Sequence, residues 1–240
     1  MSSSFLSQPQ TVDIPDFTGI CYQCDFSLEK FSLPAFQQLA ISMPDSLRSA
    51  VSKRQAEFLA GRYLAKIILT QMSLPQVEVA IGHNRAPVWP EGVIGTISHH
   101  QNKAICAIQH SSGAGDGIGI DTEKLIANDM VEGMCSTIIC SRENALIMTL
   151  PGSQALWLTV IFSAKESLFK ALYRQVQRYF DFLDAEVIAI EQQSMTLKLL
   201  TQLTPKLYAG RTFKVHYRIS GNEVLTFVQA TTNTERLVTI

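Results

Sequence analysis

GIGIDTEKL, residues 117–125, and FSAKESLFKAL, residues 162–172, are the stretches on which the fold turns. Read as a strand, the first has a two-residue period, which puts Asp121 and Glu123 on one face and sends Ile118 and Ile120 the other way into a core. Gly119 shares the face of the two acids, and a glycine inside a strand marks close approach of a ligand or of another stretch of backbone. Read as a helix, the second puts Glu166 and Lys170, four apart, on one face, with Ala164, Leu168, Ala171 and Leu172 as its buried stripe. Three carboxylates gathered without a cation repel by roughly 1 kcal/mol per pair at 4 Å in water and by about 4 kcal/mol at an effective dielectric of 20. A hard cation removes that objection. Oxygen ligands favour Mg2+ or Mn2+, and Mg2+ fills its remaining positions with water and phosphate oxygens. Asp121, Glu123 and Glu166 therefore read as a metal-ligand set for phosphate chemistry, with Lys170 as a second positive charge. The plainer alternatives are an exposed Glu166–Lys170 pair worth about 0.2–0.5 kcal/mol of helix stability and a strand end at Asp121 and Glu123 that simply meets solvent.

Upstream, Ala56, Leu59, Ala60, Tyr63, Leu64, Ile67 and Ile68 recur at helical offsets, which predicts a helix from Arg54 to about Met72. Beside that buried face runs a stripe of Arg54, Phe58, Arg62 and Lys66, either the solvated side of an amphipathic helix or a cationic clamp for phosphate. A short strand is expected at Val77 to Ile81, then a turn-rich loop from Gly82 to Gly92 in which Pro87 and Pro90 stiffen the surroundings of Arg85. Strands follow at Gly95 to His100 and Ala104 to Ile108. Ser98 and His99 offer donors to a phosphate, or His99 is a half-buried structural histidine.

Downstream, Lys124 to Gly152 reads as irregular and helical, and Pro151-Gly152 is a break. Four strands follow the second helix: Glu186 to Ile190, Met195 to Leu200, and Phe213 to Ile219 turning through Ser220-Gly221-Asn222 into Val224 to Ala230. The fold class expected is α+β in two pseudo-symmetric lobes, 1–120 and 121–240, each a small sheet packed on a long helix. The active site is expected at the junction of the lobes, a common place for a ligand site.

Composition bounds the partners. The chain has 240 residues, 46% of them hydrophobic, enough for a substantial core, and its net charge of −1 with 17% charged residues gives no bulk field for nucleic acid. An anion must be held by a local site. No apolar run is long enough to span a bilayer, and the start, MSSSFLSQPQ, lacks the regions of a secretory signal, so a soluble cytoplasmic protein is expected. Five irregularly spaced cysteines make no disulfide framework. Cys21 and Cys24 form a CxxC without a second metal-binding pair, and buried reduced thiols are the simplest reading.

RQAEFLAGRYLAK (54–66), NRAPVWPEGVIGTISHH (84–100), GIGIDTEKL (117–125) and FSAKESLFKAL (162–172) together resemble, in order, the signatures of the 4'-phosphopantetheinyl transferase superfamily. The likeness is nearest to its surfactin-type branch and, within that, to the siderophore subgroup. It covers residues 50 to 175. The resemblance implies that Asp121, Glu123 and Glu166 hold Mg2+, with Mn2+ as a substitute, and that Lys170 contacts the coenzyme A diphosphate. It implies that Arg54, Arg62, Arg85, Ser98 and His99 hold the phosphates and adenosine end of coenzyme A, with Asp121 and Lys170 on the same cosubstrate. The reaction implied moves the phosphopantetheine arm of coenzyme A onto a serine of an apo peptidyl or acyl carrier protein and releases 3',5'-ADP, with Glu166, Lys170 and Glu123 as its catalytic groups. Phe162 departs from the tryptophan frequent in the branch. Siderophore assembly is the pathway implied, with polyunsaturated fatty acid or polyketide synthesis as alternatives. A monomer suffices. In the family the carrier presents a helix beside its serine, so an exposed apolar patch is expected. Met134 to Cys140, with Ile138 and Ile139, is one candidate, or else an ordinary buried helix. Two other classes compete: a metal-dependent diphosphate hydrolase, and a non-catalytic coenzyme A-binding module.

Overall fold

The computed structural model describes residues 4–113 and 115–230. The chain divides into two compact units between His110 and Ser111, so the strand carrying Asp121 lies whole within the second, where the reading above drew its boundary at 120/121.

The first unit runs β1 (Gln10–Thr11), β2 (Ile20–Asp25), α1 (Pro34–Gln38), α2 (Asp45–Arg48), α3 (Ser52–Gln71), β3 (Ala80–Ile81), β4 (Pro87–Val88), β5 (Val93–His100) and β6 (Lys103–His110). β1, β2, β6 and β5 form an antiparallel sheet in that order. The expected stripe of α3 is what it buries: Ala56, Ala60, Leu64 and Ile68 pack with Cys24, Cys106 and Ile108 of the sheet. Gly61 lets the helix down onto β5, because a Cβ there would lie 2.7 Å from the Ile97 side chain. The strand expected at Val77 to Ile81 shrinks to Ala80–Ile81, the only part that finds a partner, in a ribbon with β4. Val79 is buried in the core without joining a strand.

Cys21 and Cys24 are in no disulfide and are buried, as expected. Three residues apart on one strand, they point to opposite faces of β2 and cannot chelate together. Burial, reinforced by Asp25, pushes the Cys24 thiol up to about 12, which leaves it inert near neutrality.

The second unit runs β7 (Gly117–Lys124), α4 (Val131–Ile138), α5 (Ser141–Ile147), α6 (Gln154–Val176), β8 (Ala185–Ile190), β9 (Ser194–Leu199), β10 (Thr212–Ser220) and β11 (Glu223–Ala230). Its five strands form an antiparallel sheet in the order β7-β11-β10-β9-β8. The expected hairpin joins β10 to β11, with Ser220 opposite Glu223 and Gly221 at a φ of 58°. α6 starts where the Ser153 side chain accepts a hydrogen bond from the Leu156 amide and ends at Gln177 in the left-handed region. Leu158, Ile161, Ala164, Leu168 and Leu172 are its buried stripe, set in one core with Leu197, Val215, Val224 and Val228 of the sheet. Each unit thus holds one long helix on an antiparallel sheet, the mixed α and β content that the sequence predicts. Among the described residues no helix is long and apolar enough to cross a membrane.

Candidate active site

In the second unit, α6 lies against β7 more closely than any side chain there would allow. A Cβ on Gly117 would sit 1.9 Å from the Ala171 carbonyl oxygen, and one on Gly119 would sit 1.8 Å from that of Ser167. The close approach that a strand glycine signals is therefore backbone against backbone. Its effect is to press the acidic face of β7 against the helix face that carries Ser163, Glu166, Ser167 and Lys170.

Asp121 is 3% exposed and its carboxylate is held from two sides. Lys170 Nζ donates to Asp121 Oδ1 at 2.7 Å and to the Ile120 carbonyl at 3.1 Å. Ser163 Oγ donates to Asp121 Oδ2 at 2.8 Å. Behind Asp121, its cross-strand neighbour Thr226 joins the same face: Thr226 Oγ1 donates to the Ser163 carbonyl at 2.8 Å and lies 2.7 Å from Ser167 Oγ. All the hydroxyls in this buried ladder find partners, so Asp121 has one position.

Glu123 and Glu166, both half-buried, feel the same field. Burial, then Asp121, lifts the Glu123 carboxyl to about 7 against the pull of Lys170, and Glu166 adds to the rise. Glu166 is raised as well, first by burial, with Lys170 opposing and Asp121 adding. The four residues singled out in these motifs therefore share one electrostatic neighbourhood, with Asp121 and Lys170 in direct contact. Among the described residues, however, no three His, Cys, Asp or Glu side chains are drawn together closely enough to form a ligand set for a metal ion. The donor chemistry still suits a hard divalent cation: three acids with one ammonium among them are short of positive charge, and Asp121 and Glu166 add to the rise that burial gives the Glu123 carboxyl.

In the first unit, Arg54 on α3 and His99 on β5 meet, Nη1 donating to Nε2 at 2.9 Å. Glu57 stands beside them, its Oε2 3.5 Å from His99 Nδ1 and 3.7 Å from Arg54 Nη1. Ser98, next to His99 on a strand, points to the opposite face and is 5% exposed. Arg62 lies 4.8 Å over the Phe58 ring and donates at 3.3 Å to the Ala80 carbonyl. Burial pulls its guanidinium down to about 10, Arg54 adding while Cys106 opposes. Its Nε is buried without a hydrogen-bond partner among the described residues. Arg85 is exposed in a short turn where Asn84 and Arg85 both take left-handed backbone, φ 52° and 63°. Lys66, the last cation of the stripe, donates to the carbonyls of Leu39 and Ala40 at 2.9 and 2.8 Å. That employment is structural, since it satisfies the exposed carbonyl end of α1.

Two groups escaped the sequence reading. Ser163, Ser167 and Thr226 carry no charge to draw notice, although hydroxyls at i and i+4 on the buried side of a helix were a usable signal. Lys165 is 3% exposed and pairs at 2.8 Å with Glu143, itself completely buried. Its place among Ile161, Leu168 and Leu172 on the buried stripe was the clue. Ile138 and Ile139 are 2% and 3% exposed, so these two apolar residues of Met134 to Cys140 belong to the core.

The model for the 4'-phosphopantetheinyl transferase N-terminal domain matches residues 43–109, and that for the 4'-phosphopantetheinyl transferase superfamily matches residues 117–228. Over 188 residues the chain is 34% identical to enterobactin synthase component D of Salmonella typhi, covering 78% of this chain and 77% of that protein. The chain belongs to the 4'-phosphopantetheinyl transferase superfamily. Its relatives in that superfamily include enterobactin synthase component D of Escherichia coli strain K12, 32% identical over 183 residues, 76% of this chain and 81% of the relative. The 4'-phosphopantetheinyl transferase Svp of Streptomyces mobaraensis is 30% identical over 164 residues, 68% of this chain and 65% of the relative. As a 4'-phosphopantetheinyl transferase the chain is an enzyme, and coenzyme A and a carrier protein are its reactants. Where the branch favours tryptophan, Phe162 is half-buried and its ring centre lies 5.4 Å from that of Phe182.

Proposed function

We propose that this transferase moves the 4'-phosphopantetheine group of coenzyme A onto the serine hydroxyl of an apo peptidyl or acyl carrier protein, releases 3',5'-ADP, and works in the assembly of an enterobactin-like siderophore. The observation that carries the reading is the buried Asp121–Lys170 pair with Glu123 and Glu166 in its field, because it unites positive charge and raised carboxyls in one place. Asp121, Glu123 and Glu166 would hold Mg2+, which would supply neutralisation of the charge that develops on the leaving phosphate.

Lys170 gives the same leaving oxygens a fixed ammonium, already oriented by Asp121 and the Ile120 carbonyl and so ready without reorganisation. The proton of the attacking serine passes to a carboxylate, Glu166 or Glu123. Arg54, Arg62, Arg85, Ser98 and His99 serve the phosphates and adenosine end of the coenzyme; Arg62 keeps its Nε buried and its guanidinium over the Phe58 ring. The enzyme acts in the cytoplasm as a monomer.

The decisive experiment incubates the protein with coenzyme A, Mg2+ and an apo carrier and records the carrier's mass. A gain of one phosphopantetheine group, lost in folded Asp121→Ala and Glu166→Ala proteins, is the expected result. No gain with either peptidyl or acyl carriers overturns the proposal, and cleavage of coenzyme A without any carrier favours a diphosphate hydrolase.

A further inference from the structure

Glu57 is a buried acid next to residues assigned to an anion, and a carboxylate in that position opposes phosphate by simple repulsion. Its helical partner Lys53 gives no sufficient reason for it: the two are 4.0 Å apart and Lys53 is largely exposed, a pairing of little weight. Burial lifts the Glu57 carboxyl, and Lys53 and then Arg54 pull it back. What Glu57 does face is the junction of Arg54 and His99, with Oε2 3.7 Å from Arg54 Nη1 and 3.5 Å from His99 Nδ1.

The chemistry of that junction fixes a proton. An arginine guanidinium only donates, so His99 Nε2, 2.9 Å from Arg54 Nη1, must accept. The ring proton of His99 then sits on Nδ1, the nitrogen turned toward Glu57. Without the carboxylate, the Nδ1–H tautomer loses the charge that favours it, and Arg54 loses one of its two restraints.

We infer that Glu57 is a positioning residue for coenzyme A binding: from α3 it holds Arg54 and His99 in one arrangement, with the His99 proton on Nδ1, before the cosubstrate arrives. This rests on the reading that Arg54 and His99 contact coenzyme A phosphate. The benefit is entropic, since arginine has much rotamer freedom to lose and a clamp already ordered loses less on binding. Repulsion and preorganisation act in opposite directions on affinity, which is what makes the inference testable. Glutamine keeps an acceptor for Nδ1–H and Arg54 while removing the charge; alanine removes both.

The test compares steady-state transfer by the wild-type enzyme, Glu57→Ala, Glu57→Gln, Arg54→Ala and His99→Ala, with 15N NMR of the histidine rings. In Glu57→Ala the KM for coenzyme A should rise about tenfold while kcat stays within about twofold, and in Glu57→Gln the KM should return to within about threefold of wild type. The His99 signals should show an Nδ1–H tautomer in the wild type and in Glu57→Gln, and a mixture in Glu57→Ala. An unchanged or lower KM in Glu57→Ala, with Arg54→Ala and His99→Ala both raising it, overturns the inference and leaves the clamp intact. If Arg54→Ala and His99→Ala leave the KM unchanged, the clamp reading itself fails, and the role of Glu57 falls with it. A His99 ring with its proton on Nε2 in the wild type overturns the arrangement irrespective of activity.

Discussion

Among single residues, Glu123 and Lys170 make the sharpest claims. The Glu123 carboxyl stands at about 7 in the folded chain against an ordinary value of 4.5, because burial and Asp121 outweigh Lys170. Between those two values the unfolded chain has given up this proton while the folded chain keeps it. The folded state binds more protons there, so its stability falls as pH rises through that window, and the loss is complete above the folded value. Glu123→Gln has no proton to lose. In chelator, its melting temperature should change less than that of the wild type from about pH 4.5 to 7.5, and should exceed it at the upper end. Parallel wild-type and variant melting curves across that range would contradict the assignment. Lys170→Met leaves Asp121 with Ser163 as its hydrogen-bond partner from α6 and removes the ammonium among three acids. Transfer should fall by about 10²–10³-fold in kcat, the scale of losing one preorganised charge-stabilising donor. A carrier-mass assay showing a loss under tenfold would remove Lys170 from the chemistry. These residues were legible because acids and a lysine at strand and helix spacing announce themselves in a sequence; the hydroxyls of Ser163, Ser167 and Thr226, which fix Asp121, do not.

For the elements, what matters is how near α6 can come to β7. The sequence offered Gly119 as a mark of close approach but left open whether ligand or backbone was approaching. Only the structure separates the two, because the answer depends on which carbonyls of α6 lie over the strand. Likewise the periodicity of α3 was plain, whereas the strand expected from Val77 needed a partner that no local pattern reveals, and it survives only where β4 supplies one. A Cβ at Gly119 meets the Ser167 carbonyl at 1.8 Å, and helix and strand must separate to admit it. Gly119→Ala should therefore cost about 1–3 kcal/mol, the range for overpacking, by urea denaturation. It should also lower kcat, since Asp121 and Glu123 move with the strand and Glu166 and Lys170 with the helix. An alanine variant with wild-type stability would show that the contact yields freely, and the tight apposition of α6 and β7 could not then be what sets the site.

For the molecule as a whole, a net charge of −1 with 17% charged residues leaves anion recognition to local clusters, and both clusters described above are built on the long helix of their own unit. Those helices anchor separate cores. Ile68 of α3 packs with Leu64, Cys106 and Ile108, while Ile161 of α6 packs with Leu158, Leu197 and Val215, and the two sets share no residue. Both isoleucines are completely buried, so Ile68→Val and Ile161→Val each remove one methylene from a closed environment and should cost about 0.5–1.5 kcal/mol. Valine is the useful choice, because leucine-to-alanine changes in both cores could exhaust a total stability of about 5–15 kcal/mol. With no shared partners, the double variant should lose the sum of the single losses to within about 0.5 kcal/mol. Urea denaturation of the full chain measures all four proteins. If the double variant departs from that sum by more than 1 kcal/mol on the same scale, the two cores answer to each other energetically, and a description in which each helix builds the cluster of its own unit on an independent core would be wrong.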